Sequence, residues 1–193
     1  MSRSHSPLPT DEDALQHLVL LAQGGDSAAF EKVYDQFFLP VYRYTAFRAP
    51  QEMVEDLVAD VFVKVWEKLH QYRAQKGVPF GAWVFRIARH AVIDAYRRDR
   101  DFEEIVDEME DPDVWNRADT RTHAKDTLRV VRGALAKLPK RYREILLLSY
   151  VAELTISEVS RVLRLTEGAV RILKFRALKK LEAALPPEMR KKA

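Results

Sequence analysis

The chain has 193 residues, of which 47% are hydrophobic and 32% charged; it carries six glycines, no cysteine and a formal charge of +3. These figures exclude disulfides and cysteine-held zinc, and the glycine-poor Ala/Leu/Val/Arg/Glu content favours helices over strands. No apolar run nears the ~20 residues a membrane span needs, so direct membrane insertion is not expected.

The opening "MSRSHSPLPTDEDALQ" lacks the apolar stretch of a secretory signal, and residues 1–13 read as a disordered lead to a cytoplasmic protein. From Asp26, a natural N-cap, "SAAFEKVYDQFFLPVYRYTAFR" sets Phe30, Val33, Tyr34, Phe37 and Phe38 at helical spacing, with Pro40 expected to break or kink the run. "PQEMVEDLVADVFVKVWEKLHQY" lines up Val54, Leu57, Val58, Val61, Phe62, Val65 and Leu69 on one stripe; Glu55, Asp56, Asp60 and Glu67 lie opposite. After the loop "RAQKGVP", a third helix buries Phe80, Trp83, Val84, Ile87, Ala88, Ala91 and Ala95. It turns Arg86, Arg89, His90 and Arg97 outward, a face suited to tracking phosphates, although charged faces are often simply solvated. Trp83 fits the core, with base stacking as its possible second role.

The acidic stretch 99–125 has weak periodicity and like charges that repel, so it reads as a flexible linker between helical domains at 14–98 and 126–185; a basic tail, 186–193, closes the chain. The formal charge is zero over residues 1–98, −6 over 99–125 and +9 over 126–193. The last value suits nucleic acid, because neutralising phosphates releases counterions. In the second domain "DTLRVVRGALAKL" and "LPKRYREILLLSYVAE" read as helices. Thr155 and Glu158 then make a T-x-x-E capping box, and Thr166 caps a further helix. These last two helices have helix-turn-helix spacing. Val170, Leu173, Ala177, Leu178 and Leu181 form the buried side of the second, leaving Arg171, Phe175, Arg176 and Lys179 to face bases and phosphates. Phe175 could touch a thymine methyl or fold into the core.

Catalysis finds no constellation. His5, His17, His70, His90 and His123 are scattered, no glycine-rich phosphate loop occurs, and the linker carboxylates are better read as solvated charge than as metal ligands. No enzyme activity, cofactor, metal or small-molecule substrate is expected.

Taken in order, "FEKVYDQFFLPVYRY", "VEDLVADVFVKVWEKL", "GVPFGAWVFRIARHAVIDAYRRDR" and "LAKLPKRYREILLLSYVAELTISEVSRVLRLTEGAVRILKFRALKKL" resemble bacterial RNA polymerase sigma factors of the sigma-70 family, extracytoplasmic-function (ECF) group. The resemblance covers nearly all of residues 28–185. It implies an all-α fold of two small helical domains, region 2 and region 4, that load core RNA polymerase onto promoter DNA. Val54–Leu69 would dock on the clamp helices of the largest polymerase subunit through Glu55, Asp56, Asp60, Val63, Lys64 and Glu67, and region 4 would meet the flap region. The minus-ten element would be read by Lys76, Gly77, Val78, Pro79, Phe80, Trp83, Arg86, Arg89, His90, Arg97 and Arg98. The minus-thirty-five element would be read by Arg164, Thr166, Glu167, Gly168, Arg171, Lys174, Phe175, Arg176 and Lys179. An anti-sigma factor is an implied partner.

Three residues depart from the family pattern: His90 stands for a usual Asn, Arg164 for a turn Gly, and Leu173 for a polar residue. In the free chain, region 4 folded on region 2 would mask both DNA surfaces, and the acidic linker could shield them or lie in the polymerase's RNA-exit path. Two other readings fit part of the pattern: a stand-alone helix-turn-helix regulator, and a mimic that sequesters an anti-sigma factor.

Overall fold

The computed structural model describes residues 12–74, 77–98 and 121–190. It is all-α, with no strand among the described residues. The N-terminal half is built from α1 (Glu12–Gln23), α2 (Ser27–Ala46), α3 (Gln51–Lys68), which runs on into a 3-10 turn over Leu69–Gln71, and α4 (Phe80–Arg98). The C-terminal half contains α5 (Arg121–Ala136), α6 (Lys140–Leu146), a π-helical turn over Leu147–Val151, α7 (Ile156–Leu163), α8 (Glu167–Ala184) and a short α9 (Pro187–Arg190). Residues 99–120, most of the expected linker, lie outside the described residues, and α5 begins at Arg121, inside the stretch read as linker.

Local chemistry explains most boundaries. Asp26 accepts a hydrogen bond from the Ala29 amide at 3.0 Å and starts α2. Pro40 lies inside α2, which runs on to Ala46, so of the expected break or kink the break does not occur. Thr155 and Glu158 form both bonds of the capping box that starts α7, and Thr166 caps α8 through the Ala169 amide. Helix α1 was not foreseen: its first residues, Glu12 and Asp13, belong to the stretch read as a disordered lead. Its last residue is tied down, because the Gln23 side-chain amide donates to the carbonyls of Leu69 (2.7 Å) and Tyr72 (2.9 Å).

Every member of the α3 stripe named above is buried. In α4 the core takes Phe85 and Val92 as well as the expected Phe80, Val84, Ala88 and Ala91; Trp83 and Ile87 are half-buried. Both halves contribute to one continuous hydrophobic cluster: Phe37, Tyr44 and Phe85 from the first, Ile145, Leu148, Leu154 and Val159 from the second. The docking brings α4 against α7 and α2 against the π turn. At Gly81 the packing leaves little room: a Cβ there would lie 2.4 Å from Glu158 Oε1.

Candidate nucleic-acid interface

The first basic surface starts in the loop before α4. Gly77 has φ +63°, a conformation that favours glycine, and its amide bonds the Ala74 carbonyl at 3.0 Å. The Tyr72 hydroxyl donates to the Val78 carbonyl at 3.0 Å, and the Pro79 carbonyl accepts from the Trp83 amide, so the loop is anchored at both ends. Burial, then the Glu12 carboxylate, raise the Tyr72 pKa and keep that phenol a donor. Phe80 is only 4% exposed and is wedged among Phe37, Tyr72 and Trp83, with ring centroids 5.1–5.5 Å away. A ring so enclosed holds the loop in place, in keeping with its expected position in the buried stripe. Trp83 is partly open beside it, and Gly77 is exposed. Lys76 lies outside the described residues.

Along α4, His90, Arg97 and Arg98 are exposed, whereas Arg86 and Arg89 are turned into the seam between the halves. Arg86 donates to the Arg161 carbonyl at 2.7 Å; burial, with Arg164 and Arg161 nearby, lowers its pKa. Arg89 Nε lies 3.4 Å from a carboxylate oxygen of Glu144. Tyr44 donates to that same oxygen at 2.7 Å, and Arg48 pairs with the other one.

The second basic surface is α8. Its N-terminal turn presents Thr166, Glu167 and Gly168, all exposed, and Arg171 pairs with Glu167 at 3.1 Å. Phe175 is 59% exposed with the Lys179 ammonium 4.8 Å from its ring centre, which resolves its reading in favour of the surface. Lys174 caps the Tyr150 ring at 4.5 Å, and Arg176 is exposed. Val170 and Ala177 are fully buried and Leu173 and Leu181 partly so, but Leu178 is exposed, which corrects its expected place in the core. Arg164 adopts the left-handed conformation (φ 55°, ψ 48°) at the end of α7, the geometry for which glycine is preferred.

A third surface lies on α3. Glu55, Asp56 and Glu67 are exposed, and Lys64 bonds Asp60 at 2.6 Å. Val63 and Trp66 are about half exposed, and Tyr34 of α2 lies alongside in an aromatic group with Phe30, Phe38 and Phe62. Trp66 and Tyr34 were missed from the sequence. For Trp66 the available signal was a large aromatic off the buried stripe of α3; Tyr34 gave none, because its spacing put it with the apolar residues of α2.

Residues 33–102 match the Sigma-70 region 2 family, and residues 128–181 match Sigma-70, region 4. The ECF RNA polymerase sigma factor BldN of Streptomyces coelicolor is 30% identical over 184 residues, covering 94% of this chain and 69% of BldN.

The chain belongs to the ECF group of sigma factors.

SigM of Bacillus subtilis, another ECF sigma factor, is 29% identical over 154 residues, covering 79% of this chain and 93% of SigM. The solved structure of CnrH in complex with the cytosolic domain of CnrY is similar at a TM-score of 0.68 and 28% identity, over 90% of this chain and 96% of that one. In this sigma factor the N-terminal half is therefore region 2 and the C-terminal half region 4. With the two docked, Arg86 and Arg89 of region 2 are engaged by region 4, while the outward side of α8 stays open. The expectation that docking masks both basic surfaces is thus corrected: it covers part of one. Among the described residues no cluster of His, Cys, Asp and Glu suits a metal, and no helix is long and apolar enough to cross a membrane.

Proposed function

We propose that this ECF sigma factor directs core RNA polymerase to its promoters by reading two DNA elements, one with each region, as a cytoplasmic initiation factor that catalyses no reaction itself. The observation that carries this reading is the presence, on one sigma-family chain, of two basic surfaces of different character. On region 2, the anchored loop at 77–79, the half-open Trp83 and the α4 cations Arg86, Arg89, Arg97 and Arg98 suit an unstacked minus-ten strand: an aromatic platform beside a phosphate track. On region 4, α8 is a capped recognition helix whose Arg171, Lys174, Phe175, Arg176 and Lys179 suit the major groove of a minus-thirty-five duplex.

The α3 surface suits the polymerase clamp helices. Val63, Trp66 and Tyr34 supply an apolar centre, and Glu55, Asp56 and Glu67 supply a charged rim. An anti-sigma factor is a fitting regulator, since the structurally similar CnrH was solved bound to the cytosolic domain of CnrY.

Run-off transcription on genomic promoter fragments, with purified core polymerase, tests the reading. New discrete transcripts that require this chain are expected. Failure to bind core polymerase would instead favour a stand-alone helix-turn-helix regulator. Core binding that yields no transcript from any fragment would count against promoter reading.

A further inference from the structure

Glu144 of region 4 is 6% exposed, yet its described partners all come from region 2. Tyr44 and Arg48, from the end of α2 and the turn after it, and Arg89 of α4 surround its two oxygens. Burying a carboxylate is costly, and apolar residues of equal volume would often hold two surfaces together as well or better. The arrangement instead has the donor set of a strand-phosphate site: two guanidinium groups and a hydroxyl around a two-oxygen anion. From this geometry we infer that Glu144 is an intramolecular mimic of a promoter phosphate, which occupies Arg89, a strand-reading arginine of region 2, and helps to hold region 4 docked until nucleic acid displaces it.

Two further features fit this role. The seam also brings Arg86 toward Arg161 and Arg164, like charges that work against docking, while the shared hydrophobic cluster and the Glu144 contact favour it. Beside Glu144 opens a cavity of about 590 Å³, into which Arg48, Arg89, Arg97, Lys140 and Arg141 also project as lining residues. A phosphate arriving there meets the same arginines next to the carboxylate it would replace. The affinity of region 2 for a strand is then reduced by the fraction of molecules that are docked, so removing the Glu144 charge should raise it.

This inference rests on the reading of Arg89 as a strand contact, and the test separates the two. The full chain has no cysteine, so Glu31→Cys and Glu182→Cys, both at exposed sites, allow one label on each region for a distance measurement. The probe is a fluorescent single-stranded DNA pool of randomised sequence at fixed salt. In Glu144→Gln the labels should move apart, and the pool should bind about tenfold more tightly. Adding Arg89→Gln to that variant should abolish the increase.

Unchanged distance, or separation without tighter binding, would overturn the mimic. If Glu144→Gln opens the chain and binds more tightly but Arg89→Gln has no effect on top of it, the strand reading of Arg89 fails instead. Arg48→Gln breaks the same contact from the other side, and loss of helical circular dichroism in both variants would make Glu144 a folding residue and end the proposal.

Discussion

Arg164 stands where the chain must turn through the left-handed region between α7 and α8, a conformation costing a non-glycine residue about 1 kcal/mol. Arg164→Gly should therefore stabilise the chain by up to about 1 kcal/mol in urea unfolding while weakening duplex binding, because the residue spends stability to place a cation at the helix-turn-helix elbow. Tyr44 gives a pH signature. Burial raises its pKa above the ordinary 10.0 against the opposing pull of Arg48 and Arg89, so the folded state favours the neutral phenol. The stability this contributes is whole below pH 10 and is lost as pH climbs from there towards the folded-state value. Thermal unfolding of the wild type should fall off through that alkaline window, and Tyr44→Phe, though less stable at neutral pH for want of its bond to Glu144, should fall off less.

At the scale of elements, the helix-turn-helix was legible almost residue by residue. Its two N-caps are side chains that bond amides three positions on, a short-range rule that sequence displays directly. Helix α8 is expected to tolerate loss of its outward residues without unfolding. Arg171→Ala and Phe175→Ala should each weaken binding to a minus-thirty-five duplex roughly five- to tenfold, with helical content unchanged by circular dichroism. The stripes of α3 and α4 were equally readable, because apolar spacing near 3.6 states which face is buried. What was not legible depended on distant partners. Leu178 looks like core in a helix whose buried side is narrower than its apolar pattern. Pro40 was misjudged for a related reason: packing holds α2 continuous where local preference alone would break it.

For the whole molecule, the docking of region 4 onto region 2 was expected, but the contacts that make it could not be read from either half, since Glu144 and its three partners are 55 to 100 positions apart in the chain. Polymerase binding is expected to depend on a different face from DNA binding. Trp66→Ala, with nearly half of its side chain open to solvent, should lower affinity for core polymerase at least tenfold in a pull-down titration, leaving helical content and duplex affinity near wild type.

Gly81 links a helix of one region to a cap in the other. Its Cα faces the carboxylate of Glu158, the group that also closes the α7 capping box by accepting from the Thr155 amide and hydroxyl. A methyl at position 81 must therefore displace the Glu158 carboxylate, the far end of a flexible side chain, at the expense of its bonds to Thr155. One carbon atom, added to a helix in one region, thus bears on the cap of a helix in the other.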